Sequence, residues 1–409
     1  MVMRAVGSGS TGVPPVDFGV PPKRTSPALL TGKSSARADA PRSSRRRDAT
    51  ASRRDARAPR SVAALLALVW SLIFVMPIHA ETPRWKRLRP LPDAEGFAAP
   101  FAGVSGGALI VGGGANITGD KWKEPFTKKW YDSVFVLEKP DGRWRGGFKL
   151  PRPLGYGVSV TADGGVLCFG GSDSAQHYAE SFRLEWKSGA IKTTPLPALP
   201  LPCAQACGAL VGRTIYLAGG IETPTATTAL HTFWALDLDA PQPIWRELDP
   251  WPGPERTLAV AGSDERSFYL FSGAKLTADP EGKPVREYLR DAYRYTPGKG
   301  WTRLADLPRA AVAAPSPALA LPPSGLLVMT GDDGSNAAFQ PVAQHPGFPR
   351  NALRYDTHAD AWALLDNGPF SRATVPTVLW QGRWILPNGE VRPRVRTPEI
   401  WSLRAPAAP

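Results

Sequence analysis

Residues 108–114 read Ala-Leu-Ile-Val-Gly-Gly-Gly, a short apolar run that ends in consecutive glycines. The same ending, or a close variant, returns five more times at intervals of about 50–58 residues. These later copies end in Gly170-Gly171, Gly219-Gly220, Ser272-Gly273, Thr330-Gly331 and Asn388-Gly389. Glycine lets a chain turn tightly and lets backbones approach one another closely. Apolar strands and tight turns at this period are typical of kelch-type β-propellers, with one blade per repeat.

A series of tryptophans recurs in step with these small-residue doublets, each shortly before a segment rich in leucine and proline. Its members are Trp85, Trp144, Trp186, Trp245, Trp301 and Trp362. Between a doublet and the next tryptophan lies an alternating strand such as residues 132–137, Asp-Ser-Val-Phe-Val-Leu. Alternation of this kind favours a half-buried strand, and 40 Gly and 44 Pro suit a turn-rich chain. We therefore predict an all-β fold, a six-bladed kelch-type propeller over residues 81–409.

The phase of the two patterns also predicts how the ring closes. The predicted domain starts with a tryptophan strand at Trp85 that has no doublet before it. It ends with a doublet, Asn388-Gly389, and a strand at residues 399–403 that has no tryptophan strand after it. The N-terminal strand is thus expected to complete the last blade, which removes exposed sheet edges.

The net charge of +13 is concentrated in the N-terminal part of the chain. Residues 1–60 contain 13 Lys or Arg and 4 Asp, which leaves a net charge of only +4 for residues 61–409. Nucleic-acid binding needs clustered positive charge on the folded part, so we predict no nucleic-acid partner. Residues 1–60 cannot bury an apolar core and are predicted to be disordered.

Residues 61–80 form an uncharged, mainly apolar segment that follows the basic tail and ends in Pro77-Ile78-His79-Ala80. A basic flank, an apolar run and a small residue before a cleavage point are typical of a secretory signal. We predict cleavage after Ala80 and a periplasmic or secreted protein. The alternative is an uncleaved membrane anchor, although the run is short for a full span; only in that case would the protein be held at a membrane.

Cysteine and histidine are too sparse to indicate a disulfide framework or a metal site. Cys203 and Cys207 can be a pair or two separate buried thiols, and Cys168 stands alone. The histidines occur singly, without metal-ligand spacing, at His79, His177, His231, His345 and His358. No phosphate loop, dinucleotide fingerprint or nucleophile elbow is present in the sequence. We predict no metal and no cofactor.

Chemistry is expected in the loops at one end of the central channel, in the residues that directly follow the doublets. These include Ala115-Asn116, Ser172-Asp173, Ile221-Glu222, Asp332-Asp333 and Glu390. The last of them begins an unusual segment, in which Arg392, Arg394 and Arg396 follow Glu390. A carboxylate beside guanidinium groups can be a surface ion pair or an acid–base group next to an anion clamp. Fold alone does not decide between these readings.

The segment Gly389-Glu390-x-Arg392-Pro393-x-x-Arg396-Thr397 resembles a motif of the bacterial N-acetylneuraminate epimerases, the sialic acid mutarotases. Further similar stretches are residues 96–116, 128–131 and 155–159. Because the glutamate-bearing blade comes last here, the chain resembles the cyclically permuted branch of that family. It departs from the family motif at Arg392, which replaces a lysine, at Arg394, which replaces a glycine, and at Leu154, where an arginine is expected.

The resemblance implies an isomerase that interconverts the anomers of N-acetylneuraminate or a related sugar acid by ring opening and closure. Glu390 matches the acid–base glutamate, and Arg396 matches the essential arginine that would hold the substrate carboxylate. Further candidate substrate-binding residues are Asn116, Tyr131, Arg256 and Arg392. The alternative is a non-catalytic kelch propeller that binds a glycan or a protein. A copper radical oxidase is disfavoured, because no set of two Tyr and two His with a nearby Cys stands out.

Overall fold

The computed structural model describes residues 85–404, so the predicted tail at 1–60 and the predicted signal segment at 61–80 lie outside the described residues. The described part contains β-strands and one short 3-10 helix at Val342–Gln344, and no α-helix. Six four-stranded antiparallel sheets form the blades of a β-propeller, which confirms the predicted fold class. No helix in this part of the chain is long and apolar enough to cross a membrane.

The first three blades follow one another along the chain. Blade 1 consists of β2 (Phe101–Ser105), β3 (Ala108–Gly112), β6 (Ser133–Leu137) and β7 (Arg145–Lys149), with an inserted hairpin of β4 (Ala115–Thr118) and β5 (Thr127–Trp130). Blade 2 consists of β8 (Val158–Ala162), β9 (Gly165–Phe169), β10 (Ser181–Lys187) and β11 (Ala190–Leu196). Blade 3 consists of β12 (Cys207–Val211), β13 (Thr214–Ala218), β14 (Phe233–Asp237) and β15 (Trp245–Leu248).

The remaining blades include two more inserted hairpins and the N-terminal strand. Blade 4 consists of β16 (Val260–Ser263), β17 (Phe268–Phe271), β20 (Ala292–Thr296) and β21 (Gly300–Leu304), with a hairpin of β18 (Ala274–Ala278) and β19 (Pro284–Tyr288). Blade 5 consists of β22 (Leu319–Leu321), β23 (Gly325–Met329), β24 (Asn351–Asp356) and β25 (Ala361–Asn367). Blade 6 consists of β26 (Val378–Trp380), β27 (Arg383–Pro387), β30 (Ile400–Arg404) and β1 (Trp85–Leu88), with a hairpin of β28 (Glu390–Arg392) and β29 (Val395–Arg396).

The N-terminal strand closes the ring as the sequence predicts. Strand β1 pairs antiparallel with β30, and Trp85 lies opposite Leu403 while Leu88 lies opposite Ile400. The rings of Trp85 and Phe370 also pack edge to face, with ring centroids 4.7 Å apart. The last blade therefore contains strands from both ends of the described chain.

Six buried apolar clusters lie between successive blades, the last between blade 6 and blade 1. Each cluster contains or contacts one of the six recurrent tryptophans of the sequence repeat. Four of these indole N–H groups donate to a backbone carbonyl of the preceding blade: Trp144 to Arg89, Trp245 to Pro197, Trp301 to Asp249 and Trp362 to Ala305. The tryptophan period is thus explained by blade-to-blade contacts.

The three cysteines are unpaired and buried in these clusters, so Cys203 and Cys207 do not form a disulfide. Burial raises the pKa of Cys203 and of Cys207 to about 12. Thiols with so high a pKa remain protonated at neutral pH and are poor nucleophiles.

Candidate active site

A closed ring of backbone hydrogen bonds surrounds the propeller axis at one end. One residue from each blade donates its N–H to the carbonyl of its counterpart in a neighbouring blade, at 2.6–3.0 Å. The members are Ala99, Tyr156, Gln205, Leu258, Ala313 and Thr374. All six have a left-handed backbone with φ between 50° and 63°, a conformation that non-glycine residues rarely adopt. Such local strain tends to occur at functional sites, and we call this end of the propeller the ring end.

The residues that directly follow the doublets meet at the ring end. Each forms an antiparallel bridge with the residue that precedes the ring residue of its own blade. The bridges are Ala98 with Ala115, Gly155 with Ser172, Ala204 with Ile221, Thr257 with Ala274, Val312 with Asp332, and Ala373 with Glu390. Glu390 thus occupies in blade 6 the position that an alanine, a serine or an isoleucine occupies in blades 1 to 4. Asp332 is its acidic counterpart in blade 5.

A small cavity of about 90 Å³ lies on the axis beside the hydrogen-bond ring. It is lined by the ring residues and by residues before or at the start of the innermost strands, including Pro100, Ser159, Cys207, Ser316 and Val375. Glu390 and Arg396 are not among its lining residues. Glu390 and Arg396 therefore lie in the loops at the ring end and not on the wall of this cavity.

Glu390 and Arg396 form a buried ion pair within the inserted hairpin of blade 6. They are directly opposite in the β28–β29 pairing, and Arg396 Nη1 lies 3.2 Å from Glu390 Oε1. The Glu390 side chain is 1 % exposed and that of Arg396 3 %. The backbone N–H of Arg394 also donates to Glu390 Oε1, at 2.9 Å.

Several polar atoms of this pair have no hydrogen-bond partner in the described part of the chain. They are Glu390 Oε2 and Arg396 Nε and Nη1, all buried. The 3.2 Å contact is therefore an ion pair without good hydrogen-bond geometry. A buried polar group that lacks a partner costs roughly 1–3 kcal/mol, and more when it is charged. Unsatisfied groups of this kind are expected where a ligand or water completes the site.

The backbone conformation of the hairpin explains why position 389 is a glycine. Its φ is 102°, and a Cβ there would lie 3.0 Å from the Cβ of Val375. Arg394, which stands where the family motif has a glycine, has a φ of 68°. The backbone at Arg394 therefore keeps the left-handed conformation that glycine favours, although the side chain differs.

The side chains of Arg392 and Arg394 join the blade 6 hairpin to neighbouring loops. Arg394 pairs with Glu124, donates to the carbonyl of Lys121 at 3.2 Å and stacks on the ring of Phe126. Arg392 Nη1 donates to the carbonyl of Ala343 at 2.7 Å. The loop between β4 and β5 is thus held against the hairpin that carries Glu390.

Asn116 and Tyr131 lie beside the site but contact the protein itself. The Asn116 side chain is buried; its Nδ2 donates to the carbonyl of Gly96 at 2.8 Å, and its Oδ1 accepts the N–H of Ile117. Tyr131 packs on Phe97, with ring centroids 4.8 Å apart. Burial, with smaller effects from Asp93 and Glu95, raises the pKa of Tyr131, so its hydroxyl stays protonated at neutral pH.

Arg256 is not brought to Glu390, because its guanidinium is used inside blade 4. It is fully buried and forms a bidentate ion pair with Asp291, in which Nη1 lies 2.8 Å from Oδ1 and Nη2 lies 2.6 Å from Oδ2. Its remaining donors go to the carbonyls of Ser272 and Pro254. No donor of Arg256 is therefore left for a ligand. Leu154, where the family motif has an arginine, occupies the equivalent position of blade 2 and is a buried core residue.

Two clusters at the ring end were not anticipated from the sequence. In the first, Tyr288 of the blade 4 hairpin donates to Asp332 Oδ2 at 2.8 Å. Burial and the Asp332 carboxylate raise the pKa of Tyr288, which keeps this hydroxyl protonated. In the second, the Lys128 amine lies over two aromatic rings. The sequence signals were the position of Asp332 directly after a doublet and, for the second cluster, the family resemblance of residues 128–131 and 155–159. Residues 85–404 contain no group of His, Cys, Asp or Glu able to hold a metal ion.

Buried histidines at the ring end predict how stability depends on pH. His177 is 8 % exposed with Nδ1 3.0 Å from the carbonyl oxygen of Ile221, and burial lowers its pKa. In the unfolded chain His177 takes up a proton near its ordinary pKa of about 6.5, whereas in the folded protein it does so only at lower pH. We expect the free energy of unfolding to fall as the pH decreases below about 6.5. In chemical unfolding experiments at a series of pH values, His177→Gln should reduce this loss of stability, whereas His358→Gln, at an exposed position, should not. The same dependence of unfolding free energy on pH in both variants would contradict this prediction.

Comparison with known proteins identifies relatives of the chain. Residues 73–192 match the family model of N-acetylneuraminate epimerase. The N-acetylneuraminate epimerase of Brucella suis is 34 % identical over 133 residues, which are 29 % of this chain and 34 % of that protein. The chain is similar to the N-acetylneuraminate epimerases. This confirms the resemblance predicted from the motifs.

Further N-acetylneuraminate epimerases match over different lengths. That of Haemophilus influenzae is 27 % identical over 226 residues, or 50 % of this chain and 57 % of that protein. That of Yersinia pestis is 34 % identical over 108 residues, or 24 % of this chain and 27 % of that protein. The chain thus spans between about a quarter and somewhat more than half of these relatives. The family-model match includes blade 1 and most of blade 2, and Glu390 lies outside it.

Proposed function

We propose that this protein is a sugar-acid mutarotase that interconverts the anomers of N-acetylneuraminate or a related sugar acid. The observation that carries the proposal is the free oxygen of Glu390, a buried carboxylate atom without a partner in the described chain. A carboxylate so placed can accept a proton from a bound hydroxyl group. The similarity to N-acetylneuraminate epimerases supports the substrate class.

The reaction needs two proton transfers. Glu390 Oε2 takes the proton of the anomeric hydroxyl, the bond between the anomeric carbon and the ring oxygen breaks, and the protonated Glu390 gives that proton to the ring oxygen. Reclosure on the other face of the carbonyl reverses both transfers and returns the proton from Glu390. Arg396 holds the other Glu390 oxygen through the 3.2 Å ion pair, so it orients the base.

Blade 5 places a second carboxylate, that of Asp332, at the ring end. Asp332 stands at the position equivalent to Glu390, and Tyr288 donates a hydrogen bond to it. Positioned acid–base catalysis contributes roughly 10²–10⁴-fold to a rate, which is ample for a reaction that also proceeds unaided.

The test is NMR spectroscopy of freshly released α-N-acetylneuraminate with and without the protein. We expect the approach to anomer equilibrium to be faster with the protein. Equal rates for N-acetylneuraminate and for related sugar acids would overturn the proposal and favour a non-catalytic propeller that binds a glycan or a protein.

We further propose that the protein is exported, because residues 61–80 have the composition of a secretory signal. N-terminal sequencing of protein recovered from the periplasm or medium is expected to begin at Glu81. A chain retained in the cytoplasm with residues 61–80 intact would contradict export.

A further inference from the structure

Lys128, in strand β5 of blade 1, is a cation without a carboxylate partner. No carboxylate of residues 85–404 forms an ion pair with it. Its Nζ instead lies 4.2 Å from the ring centroid of Tyr156 and 4.8 Å from that of Trp130. Aromatic faces attract a cation and hold it in place, but they leave its N–H donors available.

The two aromatic residues also have unused polar atoms. Tyr156 is 4 % exposed, and its hydroxyl is buried without a hydrogen-bond partner in the described part of the chain. The indole Nε1 of Trp130 is likewise buried without a hydrogen-bond partner in this part of the chain. Buried Tyr and Trp side chains usually find a partner for these groups. Three donors without an acceptor among the described residues indicate a ligand rich in acceptor oxygens and negatively charged.

This cluster lies at the ring end, one blade away from Glu390. Trp130 pairs with Ala115, which bridges to Ala98 next to the ring residue Ala99. The carbonyl of Ala99 accepts the N–H of Tyr156, and the N–H of Ala99 donates to Thr374. Thr374 follows Ala373, the bridge partner of Glu390. The Lys128 cluster and the Glu390–Arg396 pair therefore flank the same part of the hydrogen-bond ring.

We propose that Lys128, Trp130 and Tyr156 form the subsite that binds the carboxylate of the sugar acid. This inference rests on the proposed function, and it divides the two cations between separate roles. Arg396 is already paired with Glu390 and buried with it. Lys128 has no such partner, and an ammonium group with two neighbouring neutral donors suits a carboxylate.

The test measures binding rather than turnover. The probes are N-acetylneuraminate and its methyl ester, which carries the same sugar without the negative charge. Wild-type protein should bind the acid more tightly than the ester in calorimetric titration. Lys128→Gln should weaken binding of the acid by about 10–100-fold, the range of a charge-assisted hydrogen bond, and leave the ester unaffected. In the NMR exchange assay the same variant should raise KM with little change in kcat.

Lys129 provides a matched control on the same strand. It is exposed, and its Nζ lies over the ring of Tyr131 instead, at 5.1 Å from the centroid. Lys129→Gln removes the same charge and should keep the preference for the acid, as should Lys128→Arg. An undiminished preference in Lys128→Gln, or an equal loss in Lys129→Gln, would overturn the subsite.

The two proposals fail in different ways. If the wild-type protein prefers the acid through Lys128 but does not accelerate anomer exchange, the mutarotase proposal fails and the subsite stands. If exchange is accelerated and Lys128→Gln has unchanged KM and affinity, the subsite fails and the mutarotase stands. A wild-type protein that binds neither probe and accelerates anomer exchange of neither N-acetylneuraminate nor related sugar acids overturns both.

Discussion

Replacement of Glu390 by Gln is expected to slow catalysed anomer exchange by about 10²–10⁴-fold, the contribution of a positioned acid–base group. The amide has nearly the same shape as the carboxylate but cannot take the proton of the anomeric hydroxyl. The measurement is the NMR exchange rate per folded protein, with affinity for N-acetylneuraminate measured alongside. We expect the affinity to change far less than the rate, because the charge that binds the substrate is assigned to Lys128.

A second variant separates catalysis from folding. Gln at position 390 leaves the buried Arg396 unpaired, and loss of one partner of a buried pair destabilises proteins by about 3–5 kcal/mol. Glu390→Asp keeps the negative charge and shortens the side chain by one methylene group. It is expected to retain most of the stability and to lose most of the rate, because proton transfer requires hydrogen-bond reach. A Glu390→Gln variant that keeps the full exchange rate per folded protein would show that Glu390 is not the base.

The architecture could be predicted from the sequence because its two periodic signals have local physical causes. The doublets need backbone conformations that glycine favours, as at Gly171 with a φ of 111°. The tryptophans recur because an indole such as that of Trp301 reaches the carbonyl of Asp249 in the preceding blade. Both requirements act within about one repeat, so they leave a readable period, and their phase also predicted the pairing of β1 with β30.

The side-chain partners in the site could not be predicted in the same way. Position after a doublet placed Glu390 and Asp332 at the ring end, but spacing does not say which groups a side chain meets. Arg394 pairs with Glu124, some 270 residues earlier in the chain. The donors of Lys128, Trp130 and Tyr156 come together only because two blades are adjacent. Such contacts depend on loop conformation, for which the repeat carries no signal.

Arg256 illustrates the same limit, and its ion pair leads to a prediction of a large change in stability. Arg256 is a candidate substrate-binding residue in the sequence analysis, whereas the structure pairs it with Asp291. The Arg256 side chain is 0 % exposed and that of Asp291 13 %. Asp291→Asn is therefore expected to lower the free energy of unfolding by about 3–5 kcal/mol, because it leaves a buried guanidinium uncompensated. The measurement is equilibrium unfolding in denaturant.

An exposed pair supplies the control for this stability effect. Glu180 pairs with Arg152 at 3.0 Å and is 58 % exposed, so Glu180→Gln should cost less than about 1 kcal/mol. The double variant Arg256→Met with Asp291→Leu should recover much of the stability lost in Asp291→Asn, because apolar side chains can replace a buried ion pair. If Asp291→Asn instead left stability unchanged and weakened binding of the sugar acid, Arg256 would be a ligand-binding residue after all. The substrate-binding site would then extend from blade 6 to blade 4.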